Sequence, residues 1–400
     1  MRVISLAAAL WMAAAASAQD ARLNALHATL VTLRSHAKEA SAVDLGARPE
    51  LTVAKHQLRD WIESQLASLK EDGDEKAFAV RINQSLKAVS VRDKPESQNM
   101  LGSLGEVRIG RREELLIVTT AVGIPNCSDD ESAYGYRSVN DRWQRVWESE
   151  QNDYSPNKYT PQHIIAVQVA RSFLGGPAFV MTLGYEQWCS SAWHPVYYRV
   201  WRVEPSGGSK LLIDGSEIAY MPATYSVGSI SGEEAGGDGH IDVLIQCAKR
   251  SIDATAVVRD TIQHLLIDGD KVRRVDPVAL KPRYFVDEWL TRDWSESTNW
   301  SASPTLRQWH KRLHAGFIAG IFGYPTMHCV TPDLWQVGVD LSDAASPIAP
   351  QPNAYFLVRW RPPYHFTMLD ISDKPWPRCT QEDREADEGR TLFNIQERPW

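Results

Sequence analysis

The chain has 400 residues, with 43 lysines and arginines against 50 aspartates and glutamates and a net charge of −7. This mildly acidic charge argues against a nucleic-acid-binding protein, which has a stripe of basic residues. It also argues against a protein that is held to anionic membranes by a cluster of basic residues. After the N-terminal apolar run, no segment reaches the ~20 apolar residues of a membrane-spanning helix. We therefore expect no nucleic acid partner and no membrane span.

The first 18 residues have the pattern of a cleavable export signal. Arg2 supplies a positive charge, an apolar run follows from Val3 to Ala16, and Ala16-Ser17-Ala18 provides the small residues of a cleavage site. These are the three parts of a secretory signal. An uncleaved membrane anchor is the alternative, but the apolar run is short for a bilayer. We expect cleavage near Ala18 and a mature protein that is secreted or periplasmic.

Residues 19–93 are predicted to be helical. The apolar positions of the first helix recur at spacings of three and four, at Leu23, Leu26, Leu30 and Leu33. A second helix is predicted from about Leu51 to Leu69, and a third from Glu75 to Val89. The polar stretch over residues 94–104 is predicted to be a linker to the rest of the chain.

Residues 105–400 have the composition and alternation of a β-rich domain. The strongest strands begin near Glu114, Ala178 and His240, about 60 residues apart, and each is followed by further short strands. Repeats of roughly this length, with four strands each, are typical of propeller blades. The predicted fold is mainly β, with antiparallel propeller-like repeats of about 60 residues and an N-terminal helical region. An irregular antiparallel sheet without a true repeat is the alternative.

One loop has the composition of a calcium site. Glu234, Asp238 and Asp242 are spaced among glycines directly before a strand, and calcium takes about six to eight oxygen ligands in loops that glycine allows to fold tightly. Residues 234–245 resemble the FG-GAP and related calcium-binding β-propeller repeats. The resemblance implies calcium as a ligand of these three acids, although Gly236 replaces an acid or amide that the family usually has. A glycine-rich turn with solvated acids is the alternative.

Five cysteines in an exported chain predict disulfides, and the odd number leaves at least one thiol. Cys127 and Cys189 lie in corresponding loops of neighbouring repeats, and Cys329 and Cys379 flank the last one. We expect these two pairs as disulfides. Cys247 lies inside an apolar strand and is predicted to be a buried thiol.

Tryptophan is unusually frequent, with 15 in the chain, roughly three times an ordinary share. Several fall in a partly helical insertion at about 284–330, and others flank a loop between strands. An indole offers an apolar face and one hydrogen-bond donor, which suits sugars and peptides. The candidate ligand-binding residues are therefore Trp188, Trp193, His194, Trp289, Trp294 and Trp300. The alternative is that the tryptophans fill the core.

No catalytic motif is present: the sequence lacks a nucleophile elbow, a zinc-protease helix, a phosphate-binding loop and a dinucleotide fingerprint. We assign no catalytic residue, and the interpretation favours an exported binding module for a glycan, a peptide or a partner protein. An exported hydrolase with a site assembled from distant loops is one alternative, and a structural envelope-associated protein is another. An exposed aromatic patch would favour binding, and convergent carboxylates with shifted pKa values would favour hydrolysis.

Overall fold

The computed structural model describes residues 21–36, 49–91, 100–124, 128–151, 162–171, 173, 175–185, 193–220, 227–232, 240–250, 258–314, 324–341, 353–361 and 364–383. These residues form two compact units, the first ending at Ser216 and the second beginning at Glu217. The predicted export signal lies outside the described residues. Within the described ranges, no helix combines the length and apolar character needed to cross a membrane.

Among the described residues, three helices precede the strands: α1 over residues 21–35, α2 at Pro49–Leu66 and α3 at Glu75–Lys87. Asp74 is the N-cap of α3, because its carboxylate accepts a hydrogen bond from the Ala77 amide at 2.9 Å. The leucines that define the apolar face of α1 are buried, apart from the partly buried Leu23. The predicted helical region is therefore present.

The first four strands form an antiparallel sheet in the order β1-β2-β3-β4. They are β1 (Arg108–Arg112), β2 (Leu115–Ile124), β3 (Ser128–Val139) and β4 (Arg142–Ser149). The turn between β3 and β4 consists of Asn140 and Asp141, whose φ angles of 51° and 59° fit a type I′ hairpin turn. β2 is buried along its whole length and forms the centre of the sheet.

The helices and this sheet share one apolar core. Leu30, Leu58 and Phe78 from the three helices pack in the same cluster as Val118 of β2 and Tyr134 of β3. The helices therefore belong to the first unit. The predicted linker at 94–104 does not separate two cores, because the apolar stripes of the helices are covered by the strands that follow it.

Two further four-stranded meanders follow. The second comprises β5 (His163–Arg171), β6 (Ala178–Tyr185), β7 (Trp193–Val203) and β8 (Ser209–Tyr220). The third comprises β9 (Val227–Gly232), β10 (Ile241–Arg250), β11 (Val258–Asp268) and β12 (Lys271–Arg274). The residue pair Ala219–Lys249 links β8 to β10.

The last sheet has five strands in the order β16-β15-β14-β13-β17. Its strands are β13 (Met327–Cys329), β14 (Leu334–Val339), β15 (Ala354–Arg361), β16 (His365–Ser372) and β17 (Cys379–Glu382). The helices α4 (Pro282–Thr291), α5 (Trp294–Ser297) and α6 (Leu306–His314) precede it, with a short 3₁₀ turn at Thr298–Trp300. The insertion predicted at about 284–330 is thus partly helical, and α4 packs with the last sheet in the core of the second unit.

The mainly β, antiparallel fold with a small N-terminal helical region is confirmed. The strong strands predicted near Glu114, Ala178 and His240 correspond to β2, β6 and β10, each the second strand of a four-stranded meander. Among the described strands, no pairing closes a sheet into a barrel or a propeller.

Candidate functional site

An open cleft of about 420 Å³ lies in the first unit, where the hairpin turns of β1–β2, β5–β6 and β7–β8 come together with the end of β3 and the start of β4. Its wall carries equal numbers of arginines and glutamates: Arg111, Arg137, Arg171, Glu71, Glu113 and Glu114. We call this the charged cleft. Because consecutive hairpins place their turns at one end of a meander, residues far apart in the sequence meet here.

Glu114 connects two arginines of the charged cleft through hydrogen bonds. Its Oε1 accepts a hydrogen bond from Arg137 Nη2 at 3.3 Å, and its Oε2 accepts one from Arg171 Nε at 2.7 Å. Arg137 Nη1 also donates to the carbonyl of Glu204 at 2.7 Å and of Pro205 at 2.8 Å. These charge-assisted hydrogen bonds fix the direction in which donors and acceptors face a ligand.

Trp143 gives the charged cleft an aromatic surface. Its Nε1 donates to the carbonyl of Leu69 at 2.8 Å, and the guanidinium of Arg111 lies 5.4 Å from its ring centroid. Phe173, whose side chain is largely exposed, lies beside the cleft against Gly176. An added Cβ at Gly176 would approach the Phe173 ring to 2.8 Å, so glycine makes room for the phenyl ring.

A second group of polar side chains lies at the opposite end of the strands in the first unit. Glu131 of β3, His163 of β5, Tyr185 of β6 and His194 of β7 form a row across these strands, which we call the acid–base row. His163 and Tyr185 are cross-strand partners, with ring centroids 4.8 Å apart. Tyr185 in turn contacts His194 at 5.7 Å between ring centroids. The structure thus brings the sequence-predicted His194 into a cluster of titratable groups.

The carboxylate of Glu131 is held on one side and faces an imidazole on the other. Its Oε2 accepts hydrogen bonds from the Ile164 amide at 2.7 Å and from Arg108 Nη2 at 3.4 Å. Its Oε1 lies 3.4 Å from His163 Nδ1. Burial raises the pKa of the Glu131 carboxyl to about 7, against the opposing effects of Arg108 and the Ile164 amide.

The neighbouring groups of the acid–base row are also shifted. Burial, and then the charge of Arg108, lowers the pKa of the His163 imidazole below its ordinary value of 6.5. Burial, and then the charge of Glu131, raises the pKa of the Tyr185 phenol. Near neutral pH the row therefore contains a neutral imidazole beside a carboxyl group that can be protonated, which is the arrangement that general acid–base chemistry requires.

The acid–base row was not predicted as a site, apart from His194. The available signal was the run Asp129-Asp130-Glu131, three acids in succession within a strand. Asp130 has a structural role, because its buried carboxylate accepts a hydrogen bond from Lys55 at 3.1 Å. His163 and Tyr185 are single polar residues at strand ends, and sequence patterns do not distinguish them from ordinary surface residues.

Several predicted site residues lie outside the described residues, namely Trp188, Glu234, Asp238, Cys127, Cys189 and the side chain of Trp193. Asp242, the third predicted calcium ligand, is the second residue of β10, and its Oδ1 lies 2.8 Å from His264 Nε2. Within the part of the chain that the structure describes, no group of three or more His, Cys, Asp or Glu side chains is arranged to hold a metal ion.

Two of the three tryptophans predicted to bind a ligand at 284–330 lie in the core of the second unit. Trp289 is fully buried and donates from Nε1 to Ser301 Oγ at 2.9 Å. Trp300 is buried in the same cluster, and Trp294 packs against it. Trp289 and Trp300 therefore fill the core, because a helix that packs on a sheet needs large apolar side chains at its contact face. A ligand-binding role for the partly buried Trp294 stays a prediction.

The cysteines follow the predicted pattern where they are described. Cys329 and Cys379 form a disulfide between β13 and β17. Cys247 is buried within β10 and is not part of a disulfide. The predicted Cys127–Cys189 pair lies outside the described residues.

Comparison with known proteins adds little to this description. The scan against protein-family models and the search of curated proteins found no match. Among solved structures, a glycoside hydrolase has a TM-score of 0.25 at 10% identity, with 69% of this chain and 88% of that chain covered. A glycosyl hydrolase from Bacteroides ovatus has a TM-score of 0.23 at 13% identity, covering 66% and 71%. A xylan beta-1,4-xylosidase from Bacillus halodurans C-125 has a TM-score of 0.18 at 8% identity, covering 70% and 59%. Such low scores assign neither a fold family nor a function.

Proposed function

We propose that this chain is an exported protein that binds a glycan in the charged cleft of its first unit. The observation that carries the proposal is the cleft itself, in which the indole of Trp143 lies beside the fixed network of Glu114, Arg137 and Arg171. The disulfide between Cys329 and Cys379 supports export, since disulfides persist in oxidising compartments.

A glycan suits the charged cleft better than the other ligand classes. Sugar hydroxyls need donors and acceptors in fixed directions, and the apolar face of a sugar ring stacks on aromatic surfaces such as Trp143 and Phe173. Because arginines and glutamates line the cleft in equal numbers, it has no strong preference for a highly charged polymer. A peptide or a partner protein is the alternative ligand, and assembly through the N-terminal helices is the alternative role.

Replacing Trp143 by alanine is expected to weaken glycan binding at least about tenfold, because the stacking surface is lost. The measurement is affinity electrophoresis of the mature protein in gels that contain soluble plant, fungal and bacterial polysaccharides, followed by calorimetry with the best ligand. Trp309→Ala is the matched control, since Trp309 lies on α6 in the second unit beside Arg312. The proposal would be contradicted if no polysaccharide retarded the protein in the gel, or if the two substitutions weakened glycan binding equally.

We also propose that the three four-stranded meanders are blade-like repeats, with a calcium site in the loop that contains Glu234, Asp238 and Asp242. The spacing of β2, β6 and β10 by about 60 residues supports the repeat, and the resemblance of residues 234–245 to FG-GAP repeats supports the metal. The contact of Asp242 with His264 means that calcium would have to compete with the imidazole for this carboxylate.

Calcium is expected to raise the melting temperature of the mature protein relative to a chelator, because a ligand that binds the folded state stabilises it by mass action. Asp238→Ala should abolish this rise, since it removes a side-chain oxygen ligand. Differential scanning calorimetry of both proteins, with calcium and with chelator, gives the result. If calcium and chelator gave the same melting temperature for both proteins, the proposed calcium site would be contradicted. Residues 234–245 would then be interpreted as a glycine-rich turn.

A further inference from the structure

The turn between β1 and β2 forms part of the wall of the charged cleft. It consists of Glu113 and Glu114, since Arg112 and Leu115 are the last paired residues of the two strands. We propose that Glu113 is a ligand-binding residue of the charged cleft, whose carboxylate accepts hydrogen bonds from two adjacent hydroxyl groups of a neutral sugar. This inference rests on the proposed function and adds to it the class of glycan and a residue that selects it.

Glu113 differs from the other charged side chains of the cleft wall. The others are all bound within the protein, through the pairs Glu114–Arg137, Glu114–Arg171, Arg111–Glu75 and Glu71–Ser138. The side chain of Glu113 is exposed and forms no hydrogen bond or ion pair with any described residue. Both of its carboxylate oxygens can therefore accept hydrogen bonds from a ligand in the cleft.

The backbone of Glu113 has a conformation that suits other residues better. Its φ of 49° lies in the left-handed region, where glycine is unstrained and asparagine and aspartate are several-fold enriched. The turn between β3 and β4 has Asn140 and Asp141 at such angles. Glutamate lacks this advantage, so a glycine would stabilise the β1–β2 turn. A side chain that lowers stability where glycine would fit is typical of a functional position.

The surroundings of the turn keep Glu113 in this conformation. The adjacent Glu114 is held by two arginines of the charged cleft. On the other side, the Arg111 guanidinium is held by Glu75 and lies 5.4 Å from the ring centroid of Trp143. The β1–β2 hairpin is thus anchored next to the indole that offers a stacking surface. Because the turn is already fixed, little ordering is lost when a ligand binds to its free carboxylate.

A neutral sugar fits this arrangement better than a charged one. Two adjacent hydroxyls can donate to the two oxygens of one carboxylate, and such charge-assisted hydrogen bonds are stronger than those between neutral groups. An acidic sugar would bring its negative charge to Glu113, and the arginines that could offset this charge already pair with Glu114 and Glu75. An ammonium group of an amino sugar is opposed by the cluster of Glu114 with two arginines, which has a net positive charge.

The test compares Glu113→Gly and Glu113→Gln with the unaltered mature protein in affinity gels. The gels contain mixed-linkage β-glucan, galactomannan or arabinoxylan as neutral polymers, polygalacturonate as an acidic one, or chitosan as an amino-sugar polymer. At least one neutral polymer should retard the unaltered protein. Glu113→Gly should weaken this binding about tenfold or more, because two charge-assisted hydrogen bonds are lost. Glu113→Gln should weaken it about threefold or more, since the amide keeps one acceptor without the charge.

Glu113→Gly should at the same time raise the melting temperature by roughly 2 to 4 °C, because glycine relieves the left-handed backbone. A gain in stability with a loss of binding distinguishes a ligand-binding residue from one that supports the fold. Asp141→Gly is the control for the backbone change, since Asp141 has a φ of 59° and does not line the cleft. Glu63→Gln is the control for the lost carboxylate, because Glu63 lies on α2 outside the cleft wall and its partners are Arg145 and Tyr136. Both controls should leave glycan binding unchanged.

Several results would overturn this assignment. If Trp143→Ala weakened binding while both Glu113 variants bound like the unaltered protein, the cleft would remain the glycan site but Glu113 would not contact the ligand. A lower melting temperature together with weaker binding in Glu113→Gly would show a structural role. Retardation by chitosan or polygalacturonate without any neutral polymer would contradict the neutral sugar. If no polymer retarded the unaltered protein, the proposed function would fail, and the role of Glu113 with it.

Discussion

Replacing Glu288 by glutamine is expected to lower the free energy of unfolding of the second unit by roughly 3 to 5 kcal/mol, the usual cost of removing one partner from a buried ion pair. Glu288 lies on α4 and is completely buried. Its Oε1 accepts a hydrogen bond from Thr261 Oγ1 at 2.6 Å and lies 3.3 Å from Arg259 Nη1. Its Oε2 accepts one from Arg292 Nε at 2.8 Å and lies 3.5 Å from Arg274 Nη1. Glutamine would leave these arginines without their common counter-charge.

This loss should depend on pH in a defined direction. Burial alone would raise the pKa of the Glu288 carboxyl, but Arg259, Arg274 and Arg292 together hold it well below its ordinary value. A carboxyl group whose pKa is lower in the folded state stabilises the protein above its unfolded pKa of about 4.3 and loses this effect as the pH falls further. The difference between the two proteins should therefore be full at pH 7 and shrink below about pH 4.

Urea unfolding, followed by circular dichroism and tryptophan fluorescence, measures this difference. Glu296→Gln is the matched control, because Glu296 pairs with the same Arg274 at 2.5 Å but is about one-third exposed. A partly exposed pair contributes no more than about 1 kcal/mol. If Glu288→Gln costs no more than Glu296→Gln at neutral pH, the buried cluster is not a main source of stability.

Replacing Glu131 by glutamine should have the opposite sign and increase stability at pH 8. The pKa of Glu131 rises from its ordinary value of 4.5 to about 7 on folding, so the folded state holds the proton more tightly than the unfolded state. The protonated group stabilises the fold at low pH, and this contribution is lost as the pH rises through 7. Above that point the buried charge costs up to about 3 kcal/mol, which a neutral amide avoids while it still accepts the Ile164 hydrogen bond.

Thermal and urea unfolding at pH 5 and pH 8 measure this effect. The gain from Glu131→Gln should be small at pH 5 and largest at pH 8, whereas Glu63→Gln should change little at either pH. Parallel stability curves for Glu131→Gln and the original protein would mean that Glu131 has an ordinary pKa. A buried carboxyl group with a strongly raised pKa is typical of functional sites, so the measurement also tests whether the acid–base row is one.

The two interpretations of the high tryptophan content show how much structure can be inferred from composition alone. The same residues are consistent with a ligand-binding surface and with a packed core, since an indole side chain suits both. The structure places Trp289 and Trp300 in the core, whereas Trp143, on the edge strand β4 of the first sheet, lines a cleft. Burial depends on which element packs against a residue, and no local pattern specifies that partner.

What the sequence determined by itself are the features that depend on near neighbours in the chain. Apolar spacings of three and four predicted the helices, β-branched runs predicted β2, β6 and β10, and the position of Cys329 and Cys379 around the last strands predicted their disulfide. The helices and strands follow from local backbone geometry. The disulfide joins residues 50 positions apart and was predicted from the use of cysteine in an exported chain. The propeller-like repeat of about 60 residues, which was inferred from the same local signals, stays a prediction.

Only the tertiary structure decided the sites, because their members are far apart in the chain. Strand pairing brings Glu131 to His163 and Tyr185, and turns from separate hairpins bring Glu114 to Arg137 and Arg171. The pKa of a carboxyl group depends on its burial and on charges within a few ångströms. These distances exist only after folding, so no sequence motif could predict either the charged cleft or the acid–base row.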